Sequence, residues 1–194
     1  MPVERADIPL CEVKITLRDT EPEPWRRVRV SAGITLDRLH AVLQRAMGWT
    51  DSHLHEFEIR GKRYGMVLDD PFDDDPPADE RKVRLIDVVG PKMRFIYRYD
   101  FGDGWEHEVK IERVLEPSPD LKTPVCLAGE FACPPEDCGG VSGYEDLIAI
   151  LAGPDSVEKD EMLTWIGAPF DPLAFDIAAA NKRLARLKRG FVNR

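Results

Sequence analysis

The chain of 194 residues is 43% hydrophobic and carries a formal net charge of −9. A chain of this length can bury a core, so we expect one domain over residues 1–194. The negative field disfavours nucleic acid as a partner, and no apolar run reaches the roughly 20 residues that cross a bilayer. The N-terminus lacks the basic and apolar parts of a signal peptide, which predicts a cytoplasmic protein without a membrane partner.

The first third of the chain predicts a strand pair followed by a helix. Apolar and polar residues alternate from Cys11 to Leu17 and again around Val28, as in half-buried antiparallel strands. An apolar stripe at helical spacing then begins after Thr35 and ends at Gly48. This pattern predicts one amphipathic helix after the first hairpin.

The middle of the chain predicts further strands and two long loops. Alternation returns from His53 to Arg60, and Met93 to Ile111 alternates on both sides of an FGDG turn, which predicts a β-hairpin. The acidic, proline-rich segment Leu68 to Glu80 predicts an exposed, mobile loop. Glu116 to Gly143 is rich in cysteine, proline and glycine, which indicates a long ordered loop or a strap across the core.

The C-terminal part predicts three helices, with starts at the capping residues Ser142, Asp155 and Asp171. Together these elements predict an α+β fold with a mixed, mostly antiparallel sheet. We expect a sheet-rich part over about 11–115, a loop over 116–142 and a helical part over 143–190.

Histidines are the first candidates for a functional site. On a strand, His53 and His55 share a face with Phe57, and His107 shares a face with Trp105. Imidazoles on inward faces could bind one metal ion, with zinc as the first choice. The alternative is that each ring hydrogen bonds a backbone carbonyl at a strand end and fills space.

The FGDG turn supplies candidate carboxylates. Asp100 and Asp103 could join His53, His55 and His107 in holding the metal, or could orient the imidazoles. The alternative is local turn chemistry, because aspartates in turns hydrogen bond nearby amides and glycines take positive φ.

The segment CPPEDCGG offers additional ligands. Its thiols or carboxylates could approach the histidines; the candidates are Cys126, Cys133, Cys138, Glu136 and Asp137. The cysteine spacing lacks the paired CxxC arrangement of a zinc ribbon, so the cysteines could equally be small buried side chains.

A basic stretch near the C-terminus is the candidate for nucleic-acid binding. It consists of Lys182, Arg183, Arg186, Lys188 and Arg189. Such a stretch could contact phosphates, or it could complement the negative end of a helix macrodipole.

Four segments, SHLHEFEI, YRYDFGDGWEHEVKIE, CLAGEFACPPEDCGGVSGYEDL and GAPFDPLAFDIAAANKRL, carry a family resemblance. The chain resembles the plasmid pRiA4b ORF-3-like family, some members of which are labelled transposon passenger or resolvase-like proteins. The resemblance implies an α+β domain and no particular reaction. The first 50 residues contain only Ser31 as a serine nucleophile, and the helical half lacks the histidine that a tyrosine recombinase needs.

Three functions are compatible with these patterns. The first is a binding or accessory domain with a divalent metal at the histidine and aspartate residues. The second is a metal-dependent hydrolase with water at an open coordination position. The third is a DNA-associated accessory protein of a mobile element that uses the basic stretch.

Overall fold

A computed structural model of the protein describes residues 8–68, 74–118, 124–167 and 169–187. Within these ranges the strands are β1 (Leu10–Leu17), β2 (Trp25–Ser31), β3 (His55–Ile59), β4 (Lys62–Gly65), β5 (Ala78–Asp79), β6 (Arg94–Tyr99), β7 (Trp105–Leu115) and β8 (Val125–Glu130). The helices are α1 (Leu36–Met47), α2 (Leu85–Val88), α3 (Gly140–Ala152), α4 (Val157–Ile166) and α5 (Ile177–Leu184). A 3₁₀ turn, Glu80–Lys82, precedes α2.

The eight strands of the described residues form one sheet in the order β5-β4-β3-β6-β7-β1-β2-β8. Neighbouring strands are antiparallel except for the short parallel pair of β4 and β5. The predicted α+β class with a mostly antiparallel sheet is therefore confirmed. The β6–β7 hairpin lies near the centre of the sheet, so its turn and the start of β3 meet at one end of neighbouring strands.

Helix α1 covers part of the inner sheet face. Its predicted stripe is buried, including Leu36, Leu39 and Leu43. The helix ends at Gly48, where φ is +113° and the amide donates to Gln44 O, so the glycine acts as a left-handed C-cap. Thr35 occupies the N-cap position, although its side chain makes no capping hydrogen bond.

The opposite sheet face carries cross-strand ion pairs. Arg98 of β6 lies between two neighbouring strands, with Nη1 2.8 Å from Glu58 Oε2 and Nε 2.8 Å from Glu106 Oε1. Alternation along the strands puts such charges outward and aromatic residues inward. The inner face therefore contains the core and, at one end, the candidate site.

Two predicted loops contain sheet residues. Strand β8 lies within the predicted loop 116–142 and pairs with β2 along the sheet edge, so that prediction was wrong for Val125–Glu130. In the predicted mobile loop, Ala78–Asp79 forms β5 and Glu80 is buried. Long-range pairing overrode the local composition in both places; residues 69–73 of the acidic loop lie outside the described residues.

The predicted starts of two helices shift by a few residues. Helix α3 begins at Gly140 instead of after Ser142, because Gly139 and Gly140 take positive φ and turn the chain into the helix earlier. The N-cap of α4 is Ser156, whose Oγ accepts from Lys159 N, rather than Asp155.

Helix α5 also begins later than predicted. Its N-cap is Asp176, which accepts hydrogen bonds from the amides of Ala178 and Ala179, whereas Asp171 caps only a turn by accepting from Leu173 N. Among the described residues, none of the helices has the length and apolar character required to cross a membrane. The assignment of the chain to one domain stays a prediction.

Candidate metal centre

The turn between β6 and β7 holds the carboxylate of Asp100, which is buried and has φ of +55°. Its main-chain oxygen accepts from Gly104 N at 2.6 Å, and its amide donates to Leu54 O at 2.9 Å. The carboxylate oxygen Oδ1 accepts from the amides of Gly102 at 3.0 Å and Asp103 at 3.3 Å. Turn chemistry therefore uses Oδ1 and leaves Oδ2 for another partner.

The loop between β8 and α3 docks on this turn. Asp103 Oδ2 accepts from Gly139 N at 3.2 Å, and Trp49 Nε1 donates to Pro134 O at 2.9 Å. A Cβ at Gly140 would collide with the carbonyl oxygen of Asp103, and the glycine has φ of +68°. Only glycine fits this close approach without strain, and the docking brings the acidic part of the loop over the turn.

Glu136 is held by groups from two other segments. Its Oε1 accepts from Thr50 N at 2.7 Å, from Thr50 Oγ1 at 3.0 Å and from the hydroxyl of Tyr99 at 3.1 Å. Burial, followed by the nearby Glu136 charge, raises the pKa of Tyr99, so this phenol stays protonated and donates. The same hydroxyl accepts from Ser52 N at 3.0 Å, which ties the loop before β3 to the carboxylate.

His53 lies among three carboxylates. Its Nε2 is 2.9 Å from Asp137 Oδ1, 3.5 Å from Asp100 Oδ2 and 3.9 Å from Glu136 Oε2. This nitrogen is buried and forms no hydrogen bond with any of the three carboxylates; the Asp137 contact is short enough but lacks the direction of a hydrogen bond. The imidazole nitrogen is thus surrounded by acceptor oxygens without being satisfied by any of them.

We call these four residues, His53, Asp100, Glu136 and Asp137, the His53 site. Ligand atoms of His53, Asp100 and Asp137 all lie within 4.8 Å of one another, and they are the metal-compatible group found among the described residues. Glu136 flanks that group through the 3.9 Å contact. In the described ranges, none of the three carboxylates forms an ion pair with lysine or arginine.

Three of the residues predicted for the same centre lie elsewhere. His55 Nε2 is 2.8 Å from Glu80 Oε2, and His107 Nδ1 is 3.3 Å from Tyr97 O. Asp103 contacts the docking loop. Strand β3 begins only at His55, so His53 belongs to a loop and does not share a strand face with it. The Tyr97 ring contacts both the His55 ring and the His107 ring, with centroids 6.1 Å and 5.2 Å away.

His40 was not recognised as a candidate from the sequence. Its ring stacks on His55 with centroids 3.4 Å apart, and its nitrogens are 2.7 Å from the hydroxyl of Tyr97 and 2.6 Å from Asp51 Oδ1. Burial, partly offset by Asp51, lowers the pKa of His40. Helical spacing within the apolar stripe of α1 could have revealed an inward histidine at this position.

The comparisons with known proteins agree with the fold. The family model for plasmid pRiA4b ORF-3-like protein matches residues 9–179. The chain belongs to this family. Three of the segments that carried the sequence resemblance contribute to the His53 site: the loop before β3, the hairpin turn and the cysteine-containing loop.

Two relatives of this family member illustrate the similarity. One is described as uncharacterized protein y4hQ from Sinorhizobium fredii; it is 46% identical over 175 residues, which cover 89% of this chain and 86% of that protein. The crystal structure of a protein of unknown function, MM3350 from Methanosarcina mazei Go1, is similar with a TM-score of 0.76 and 33% identity. That likeness covers 89% of this chain and 97% of the other.

The cysteines of this family member do not join the His53 group. Burial raises the pKa of Cys133 to about 11 and that of Cys138 to about 12, so both thiols stay protonated. Cys126 is buried, and its thiol donates to Ala128 O at 3.5 Å. The loop therefore contributes its carboxylates to the site. Its thiols pack nearby, which agrees with the alternative that the cysteines are small buried side chains.

The basic C-terminal stretch has a structural role at one residue. Arg183 Nε donates to Arg45 O at 2.9 Å, at the C-terminal end of α1, where a cation complements the helix macrodipole. Lys182 and Arg186 are exposed, and Lys188 and Arg189 lie outside the described residues. Of the two interpretations of the basic stretch, this contact agrees with a cation at the negative end of a helix macrodipole, here that of α1.

Proposed function

We propose that the protein is a binding domain in which the His53 site holds one divalent metal ion, zinc in the first instance. The ion would join three segments of the chain. His53 comes from the loop before β3, Asp100 comes from the β6–β7 turn, and Glu136 and Asp137 come from the loop before α3. The ion would thus clamp two loops onto the end of the central hairpin.

The spacing around His53 Nε2 is the observation that carries this proposal. A tetrahedral zinc ion with bonds of about 2.1 Å places its ligand atoms about 3.4 Å apart. The three carboxylate oxygens lie 2.9, 3.5 and 3.9 Å from His53 Nε2, which brackets that value. One imidazole nitrogen with three carboxylate oxygens is also a donor set that zinc accepts.

Charge gives a second argument for a cation. Three carboxylates converge on one imidazole, and the described residues supply no lysine or arginine to offset them. Two like charges 4 Å apart repel by on the order of 1 to 4 kcal/mol, depending on solvent exposure. A divalent ion converts this repulsion into attraction.

The ligand count favours binding over hydrolysis. Catalytic zinc sites have three protein ligands and an open position for water, whereas structural zinc sites have four protein ligands. In the His53 site, ligand atoms of His53, Asp100 and Asp137 lie within 4.8 Å of one another. We propose Glu136, which is 3.9 Å from His53 Nε2 and held by Thr50 and Tyr99, as the fourth ligand. We therefore propose a clamp that organises a binding surface, rather than a metal-dependent hydrolase.

The test is zinc titration of the full chain after its metals are removed with a chelator. Calorimetry on the wild-type protein should give one zinc ion per chain, and zinc should raise the thermal unfolding midpoint, because it binds the folded state. His53→Ala should abolish stoichiometric binding. Cys138→Ala, which alters a neighbouring side chain outside the donor set, should retain it.

Two outcomes contradict the proposal. One is the absence of stoichiometric zinc binding by the wild-type chain. The other is equal zinc affinity in His53→Ala and wild type, which would assign the ion to a different set of ligands.

A further inference from the structure

A cavity of about 350 Å³ opens next to the His53 site, between α3, α4 and the loop that carries Asp137. The volume is within the range of small-molecule sites, which starts at roughly 300 Å³. Asp137 belongs to both the cavity lining and the His53 site, and Cys138 lines the cavity beside it. The side chain of Asp137 is 67% exposed, so it faces the cavity as well as His53.

The apolar part of the lining comes from both helices. Leu147 of α3 and Met162 and Trp165 of α4 line the cavity. Trp165 is 51% exposed, which is unusual for the largest apolar side chain. None of the described residues of α4 is fully buried; Leu163 and Trp165 are exposed, whereas Met162 and Ile166 pack partly against the core. These groups offer an aromatic surface to an apolar ligand.

The charged part of the lining has one sign. Glu158 and Glu161 of α4 join Asp137, and neither glutamate forms an ion pair or hydrogen bond among the described residues. Lys159, the single lysine in the sequence of α4, is engaged elsewhere, since its Nζ donates to Gly153 O at 2.9 Å. The cavity is therefore negative, with no cation in its described lining.

Carboxylates next to an exposed indole are complementary to an organic cation. The carboxylates accept charge-assisted hydrogen bonds from an ammonium group, and the face of an indole attracts a cation. An anion would meet only repulsion here, and a neutral apolar molecule would leave both glutamates without partners.

We infer that this cavity binds a small organic cation, namely a primary amine with an apolar or aromatic body. The amine lies among the carboxylates of Glu158 and Glu161, and the body packs on Trp165, Met162 and Leu147. This inference goes beyond the metal clamp, and it does not require the metal, since both glutamates belong to α4 and lie outside the His53 site.

The test uses three probes of matched shape: phenethylamine, its neutral counterpart 2-phenylethanol and the anion phenylacetate. Binding is followed by NMR through the indole NH signals, with Trp165 assigned by Trp165→Phe. Phenethylamine should shift the Trp165 signal in a saturable manner, and phenylacetate should not. The signals of the buried Trp49 and Trp105 serve as internal references.

Charge-neutralising variants test the role of the carboxylates. The double variant Glu158→Gln and Glu161→Gln should bind phenethylamine at least about tenfold more weakly, because charge-assisted hydrogen bonds are lost. Glu145→Gln, an exposed α3 residue outside the lining, is the matched control and should bind as wild type does.

The inference is overturned if phenethylamine leaves the Trp165 signal unshifted, if phenylacetate or 2-phenylethanol binds as tightly, or if the double variant binds as wild type does. All titrations are run on chelator-treated protein and repeated with zinc. Amine binding to the zinc-free chain supports the cavity even where zinc titration fails, so the two proposals fail separately.

Discussion

Two groups of histidines lie at the same end of the sheet and differ in how their nitrogens are satisfied. In the buried pair, His40 and His55 stack on each other and each has a carboxylate partner, Asp51 or Glu80. In the His53 site, one imidazole nitrogen faces three carboxylates without a hydrogen bond to any of them.

This difference predicts that the buried pair contributes to folding stability and the His53 site to cation binding. A buried imidazole with one hydrogen-bonded carboxylate is locally balanced, so removing either partner harms the fold. A partly exposed imidazole with three carboxylates has a surplus of negative charge that a cation can offset. Histidines at one end of the sheet should therefore have different roles, and substitutions at each group should affect different measurements.

The largest expected effect comes from breaking the buried pair. His55→Ala leaves the carboxylate of Glu80, which is 5% exposed, without its partner. We expect the unfolding free energy to fall by about 3 kcal/mol, the usual result of breaking a buried pair from one side. Urea denaturation of the zinc-free chain measures this change, and His55→Gln, which retains a donor, should lose less. Two results would contradict the difference between the buried pair and the His53 site. One is a fall in unfolding free energy below about 1 kcal/mol, and the other is a loss of zinc binding in the folded variant.

The next effect, smaller per pH unit than the loss in His55→Ala, should be a pH dependence at His107, whose Nε2 is buried without a partner. Burial lowers the pKa of His107 to about 3, whereas an unfolded histidine has a pKa near 6.5. Between these values the unfolded chain binds more protons, so stability is complete above pH 6.5 and is lost as the pH falls toward 3. The slope is at most about 1.4 kcal/mol per pH unit for one proton.

The variant His107→Leu isolates this contribution. Denaturation curves between pH 7 and pH 4 should show a shallower loss of stability in the variant than in the wild type. Parallel curves would mean that protonation of His107 does not contribute.

A smaller effect, confined to binding, is expected at the His53 site. Asp137→Asn removes one ligand charge and should weaken zinc binding by about tenfold, measured by calorimetry. The zinc-free variant should unfold within about 0.5 kcal/mol of wild type, because Asp137 is largely exposed. Asp146→Asn, an exposed α3 control, should change neither quantity. A large loss of stability in Asp137→Asn would make this residue structural.

The smallest effect is expected at an exposed ion pair, which serves as a reference for the predictions at His55, His107 and Asp137. Arg94 and Glu108 form an ion pair at 2.8 Å on the outer sheet face, where both side chains are exposed. Arg94→Ala should change the unfolding free energy by less than about 1 kcal/mol in urea denaturation, because solvent screens exposed ion pairs. A larger change would show that ion pairs on the outer sheet face stabilise the fold by more than solvent screening allows.

Local patterns were sufficient for much of the fold and for part of the site. The β6–β7 hairpin and α1 follow from alternation, helical spacing and Gly48, all of which act between near neighbours in the chain. The same reasoning found His53 and Asp100. It wrongly extended the strand alternation back to His53, because the first residue of β3 depends on pairing with Tyr99 of β6.

Distant contacts decided the rest. The pairing of β8 with β2, the stacking of His40 on His55 and the docking of Gly140 against Asp103 each join segments far apart in the sequence. Nothing in a local window encodes which distant partner a buried group will meet, since several pairings satisfy the same alternation.

The sequence by itself determined the α+β class, the central hairpin and the residue types available for a polar site, because these depend on periodicity and turn chemistry. Only the tertiary structure decided which carboxylates approach His53 and which histidines pair in the core. That choice depends on the docking of the loop before α3 on the hairpin turn, where an acidic segment distant in sequence comes within a few ångströms of one imidazole nitrogen.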